Sequence, residues 1–87
     1  MIIEEKFLEM RGMRRQEIID YFISLDFLAC DLSTFVGEHL RIEVGEEVFV
    51  KMGSLSIPAT SIKFSGEKDV VEKVLYWFRL RFLTAGG

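Results

Sequence analysis

The chain has 87 residues, 49% of them hydrophobic and 13% aromatic, with fourteen acidic against eleven basic residues and a net charge of -3. That length serves one hydrophobic core, so residues 1–87 read as a single domain, and the apolar content excludes disorder. A pI near 5.1 gives no positive field to gather nucleic acid or an acidic membrane surface. The single cysteine, Cys30, allows no internal disulfide and fits a reducing cytosol, so a cytoplasmic location is expected. Met1 to Glu9 lack the basic and apolar regions of a signal peptide. The longest apolar stretches, Tyr21 to Cys30 and Val74 to Leu83, are too short to span a bilayer.

Ile3, the Phe7-Leu8 pair and Met10 keep a rough two-residue rhythm that Gly12 stops, which predicts a first strand. From Arg14 the rhythm lengthens. Ile18, Ile19, Phe22 and Leu25 recur at three and four residues opposite Gln16, Glu17 and Asp20, predicting a helix that ends near Leu28. Asp31 to His39 shows no sustained period and reads as an irregular connection. Leu40, Ile42 and Val44 then alternate with Arg41 and Glu43, Gly45-Glu46-Glu47 reads as a turn, and Val48, Val50 and Met52 form the return strand.

After Gly53, Leu55 and Ile57 share one parity while Ile62 and Phe64 share the other, with Pro58 between them. Residues 54 to 65 are therefore one kinked strand or two short ones. Ser65 reads as an N-cap. Glu67 and Asp69 suit the positive end of a helix and Arg79 and Arg81 its negative end, with Gly86 as the stop. Val71, Val74, Leu75, Phe78 and Phe82 form its core stripe. Tyr76, Trp77, Leu80 and Leu83 join an apolar side outside that stripe, which predicts a contact surface. The order β-α-β-β-β(β)-α gives an α+β fold, a curved antiparallel sheet with two helices on one face.

Catalysis by proton transfer or nucleophilic attack needs a base beside an acid or nucleophile. His39, the only histidine, is followed to that role by nothing but Glu38, Ser33 and Thr34 nearby in sequence, so no catalytic residue is assigned and no enzyme is expected. One Cys and one His cannot supply a zinc site, Asp26, Asp31 and Glu38 miss the EF-hand spacing, and no cofactor or metal is expected. Cys30, at the end of an apolar run, reads as packing.

Arg11, Arg14 and Arg15 bracket the start of the first helix, where positive charge opposes the helix dipole unless an anion offsets it. Either a bound acidic ligand or a neighbouring carboxylate, from Glu9, Glu17 or Asp20, meets that need. The terminal Gly86-Gly87 has two readings also. It is a helix stop with a frayed end, or the slim tail by which ubiquitin-like sulfur carriers enter an activating enzyme.

Arg11-Gly12-Met13-Arg14-Arg15-Gln16-Glu17 resembles the start of small sulfur-relay proteins of the TusA kind, in which Arg-Gly-x-x-Cys-Pro-x-Pro carries sulfur on its cysteine. Arg15-Gln16 stand where Cys-Pro would, so that role does not transfer. The remaining order, with Arg79-Leu80-Arg81-Phe82-Leu83 and Gly-Gly at its end, is similar to the uncharacterised domain that follows the carrier domain in bacterial MoaD-related proteins, relatives of the molybdopterin synthase small subunit. That resemblance implies a place near molybdenum-cofactor or sulfur-carrier biosynthesis and transfers no functional residue. The expected function is a non-enzymatic interaction domain that self-associates through the second helix or meets another protein. An anion binder at the arginines and a carrier acting through Gly87 are the alternatives.

Overall fold

The protein's structure, a computed structural model, describes residues 2–82. Seven elements follow in order: β1 (Ile3–Arg11), α1 (Arg15–Ser24), β2 (Leu28–Ala29), β3 (Thr34–Gly37), β4 (Leu40–Met52), β5 (Leu55–Glu67) and α2 (Lys68–Phe82). The strands form one open, wholly antiparallel sheet in the order β1-β5-β4-β3-β2. Both helices lie on one face, α1 against β4 and β5 and α2 against β5 and β1, as the α+β pattern predicted.

The core fills the space between the helices and that face. Ile18, Ile19 and Phe22 come from α1, Val71, Leu75 and Phe78 from α2, and Met10, Phe35, Ile42, Val44, Ile62 and Phe64 from the sheet. Phe22 holds the centre. Its ring stacks on Phe78 at 5.5 Å between centroids and also meets Phe35 at 5.6 Å and Phe64 at 6.2 Å. Tyr21 lies edge-on to Phe78 and Phe82, so the two helices are joined by aromatic rings along their contact.

Four expected boundaries move. The first helix ends at Ser24 rather than Leu28, because Leu25 is extended and Leu28 and Ala29 instead pair with Val36 and Phe35. A short apolar run does not by itself distinguish helix from strand. The connection from Asp31 to His39 contains β3, which pairs with β4 through a turn at Glu38-His39, where His39 adopts φ 59°. Ser65 caps nothing: it lies in β5 between Glu5 and Arg41, and α2 begins at Lys68, whose N–H donates to the Ile2 carbonyl. A ladder satisfied on both sides outweighs a local capping signal.

The fourth change is the largest. Gly45-Glu46-Glu47 is a bulge inside one thirteen-residue strand, not a turn, for the pairing passes from Val44–Ile62 to Glu47–Thr60 and β4 gains one residue on β5. The extra residue reverses the parity of β4. Ile42 and Val44 point to the helices, while Val48, Val50 and Met52 point to the other face. Residues 55–67 are likewise one strand, and Leu55 and Ile57 need no kink to change sides. They share the outer face with Val48, Val50 and Met52 because this end of the hairpin projects past the helices. A thirteen-residue strand runs about 43 Å, which accounts for a long molecular axis of 46 Å.

Two substitutions test this packing in chemical denaturation. Phe22→Ala removes the ring common to both helices and the sheet and should cost about 3 to 5 kcal/mol. Thr60 is 1% exposed with a hydroxyl that has no hydrogen-bond partner, so Thr60→Val should be neutral or stabilise by about 1 kcal/mol. A large loss at Thr60→Val would show that the hydroxyl is satisfied.

Candidate functional site

The three arginines do not converge. Arg11 closes β1 and pairs with Glu9 two residues before it. Arg14 and Arg15 begin α1, and there they meet Glu47, which the bulge delivers to that spot. The Arg14 guanidinium donates to both Glu47 carboxylate oxygens at 3.0 and 2.9 Å, and the Arg15 backbone N–H donates to Oε1 at 2.9 Å. The Arg15 side chain donates to the Gly45 carbonyl at 2.7 Å. Glu17 completes the cap by accepting the Arg14 N–H at 3.1 Å.

The carboxylate expected at this helix start is therefore Glu47, supplied from another element, rather than Glu9 or Asp20. It stands where an external anion would stand, on a backbone N–H and a cation at the positive end of a helix. Hydrogen bonding from Arg14, then from the Arg15 backbone, holds the Glu47 carboxyl below the usual glutamate range, and the same pair holds the Arg14 guanidinium above its own. Nothing in the local sequence signals this contact, since thirty-three residues separate Arg14 from Glu47.

The second candidate surface is the outer side of α2. Tyr76 and Trp77 are 59% and 54% exposed, with rings edge-to-face at 5.6 Å, and Leu80 is 38% exposed. These three occupy the side of α2 away from Val71, Leu75 and Phe78, as the helical spacing predicted. Leu83, Gly86 and Gly87 lie outside the described residues.

The other singled-out residues are on the surface. His39 sits in the β3–β4 turn, 3.7 Å from Glu38, and Cys30 is exposed rather than packed, because β2 is an edge strand of two residues. Among the described residues, no group of three or more His, Cys, Asp or Glu is placed to hold a metal ion, and no helix is long and apolar enough to cross a membrane.

Fold and surface together define a small α+β domain whose distinctive side chains face outward on a helix and on a projecting hairpin, not into a cleft. The model of the archaeal MoaD-like protein family matches residues 6–87, and the chain belongs to that family. The relation to MoaD is thereby shown for nearly the whole length, with an archaeal family where the resemblance had pointed to a bacterial one. No curated protein matches the chain.

The Glu47 cap has a pH signature. A carboxyl with a depressed folded-state pKa contributes stability that is full above the unfolded value, about 4.3, and is lost as pH falls through the lower folded value. Glu47→Gln should therefore be less stable than the parent at pH 7, with the difference closing in acid. Equal stability at pH 7, or a difference that persists at low pH, would contradict the assignment.

Proposed function

We propose that this chain is a non-enzymatic contact domain that accompanies sulfur-carrier or molybdenum-cofactor chemistry in the cytoplasm, and that it meets another protein through the outer side of α2. The observation that carries the reading is the pair Tyr76 and Trp77, both more than half exposed in the middle of a regular helix. Exposing two large aromatic groups forgoes the burial that would stabilise them, and such residues dominate the energetics of protein contacts. Membership of a MoaD-like family supports the chemical setting. In this setting the domain serves a sulfur carrier, joined to it or separate.

Trp77 is the only tryptophan and reports on its own surroundings. Titration with a sulfur carrier or with its adenylating enzyme from the same host should shift Trp77 emission to shorter wavelength as the ring leaves water. Tyr76→Ala should weaken that binding about tenfold or more, with little change in melting temperature. Emission that never moves with either protein counts against the reading.

A second reading has its own support, because the family match runs through Gly87 and so includes the Gly-Gly end. As a carrier, the chain would accept adenylation at its terminal carboxylate. Mass spectrometry after incubation with ATP, an adenylating enzyme and a sulfur donor would show a thiocarboxylate for the carrier and an unchanged mass for the contact domain. Anion binding at Arg14 and Arg15 would require Glu47 to leave both, and no observation favours it.

A further inference from the structure

We propose that two copies of this chain pair through the open edge of β4, residues 46–52, to make one continuous antiparallel sheet about a two-fold axis at Phe49.

The edge is open because β3 is short. It pairs with β4 only from Leu40 to Glu43, the Val44 N–H reaches the Ser33 carbonyl, and the Gly45 carbonyl takes the Arg15 side chain. On the side of β4 away from β5, no described strand lies beside it beyond that point. A strand edge presents unpaired N–H and C=O groups, and proteins commonly blunt it with charge, proline or brevity. The other edges here are blunted so. The free edge of β1 carries Glu4, Glu5, Lys6, Glu9 and Arg11, and β2 has two residues. Beyond Arg11, the far edge of β5 carries Pro58, whose carbonyl already accepts the Gly12 N–H. Residues 46–52 instead read Glu-Glu-Val-Phe-Val-Lys-Met, rich in strand formers and without proline.

The occupant is a second copy because this segment complements itself. An antiparallel pairing that keeps both sets of helices on the same face must oppose residues of the same parity, so the two residue numbers sum to an even value. Centred on Phe49, that pairing opposes Val48 with Val50 twice and Glu47 with Lys51 twice, so that branched apolar groups face each other and each Lys51 ammonium adds to the Arg14 guanidinium already at the Glu47 carboxylate. Centring on Val48 would set Glu47 against Phe49, and centring on Val50 would set it against Gly53. Only the Phe49 centre matches the charges.

The surroundings fit the same register. It places Met52 and Gly53 of one copy beside Glu46 and Gly45 of the other, where an open hollow of about 450 Å³ is lined by Arg15, Leu32, Ser33 and residues 44–47. This pairing does not use the outer side of α2, which stays available to a different protein.

Sedimentation equilibrium and hydrogen exchange test it. The chain should approach twice its mass of 10.1 kDa with rising concentration, and amides on the free side of 46–52 should gain protection over the same range. Lys51→Glu, which turns both charge matches into repulsions, should raise the dissociation constant about tenfold, as should Phe49→Glu, while Trp77→Ala should leave it unchanged. A monomer at every concentration would overturn the proposal, as would a dimer insensitive to both β4 variants. Because exchange in the unaltered chain needs no variant to fold, an association that leaves these amides unprotected also overturns it, as does protection that requires a different protein.

Discussion

One inserted residue in β4 governs the shape of this molecule. Without the bulge at Gly45-Glu46, the even-numbered apolar residues of β4 would stay on the helix-facing side for the whole strand, and the hairpin would need more helix to cover it. With it, the strand serves two surroundings: a buried one as far as Val44, and from Glu47 onward a ribbon whose branched side chains face away from the helices. The same insertion turns Glu47 toward α1, where its carboxylate answers the Arg14 guanidinium and the Arg15 backbone N–H at the helix start. A backbone irregularity thus sets both the electrostatics at one end of the core and the exposed character of the arm.

The aromatic centre does the complementary work. Phe22 touches rings from β3, β5 and α2, so the short helix α1 is fixed by packing more than by its own ten residues, which are too few for an isolated helix to be stable. Fixing α1 places Arg14 and Arg15 over the bulge. Fixing α2 against Phe22, β5 and β1 leaves Tyr76 and Trp77 pointing outward. Core geometry and the outward-facing surface are in this sense one arrangement.

Much of this was legible in the order of residues. The strand rhythm of Leu40 to Val44, the three-and-four spacing of α1 and the divided faces of α2 each follow from burial on one side of a regular element, which the local sequence encodes directly. What escaped depended on distant partners. Gly45-Glu46-Glu47 has the composition of a turn, and only pairing with Thr60 and Ile62 makes it a bulge. Ser65 has the chemistry of a cap, and only β1 and β4 on either side keep it extended. The change of parity at Pro58 was visible, but its cause was the projection of the hairpin beyond the helices, which no local window contains. The contact of Glu47 with Arg14 is hidden from a local window for the same reason.

The chain belongs to a MoaD-like family, and the exposed pair Tyr76 and Trp77 supports the proposal that it works by meeting another protein. The most direct test of that account is a nuclear magnetic resonance titration of the labelled chain with a sulfur carrier from the same host. Amide shifts concentrated on α2 around Tyr76, Trp77 and Leu80 are the predicted result. A spectrum unchanged by the carrier, but altered at Gly86 and Gly87 by ATP and an adenylating enzyme, would contradict it and make the chain a carrier itself.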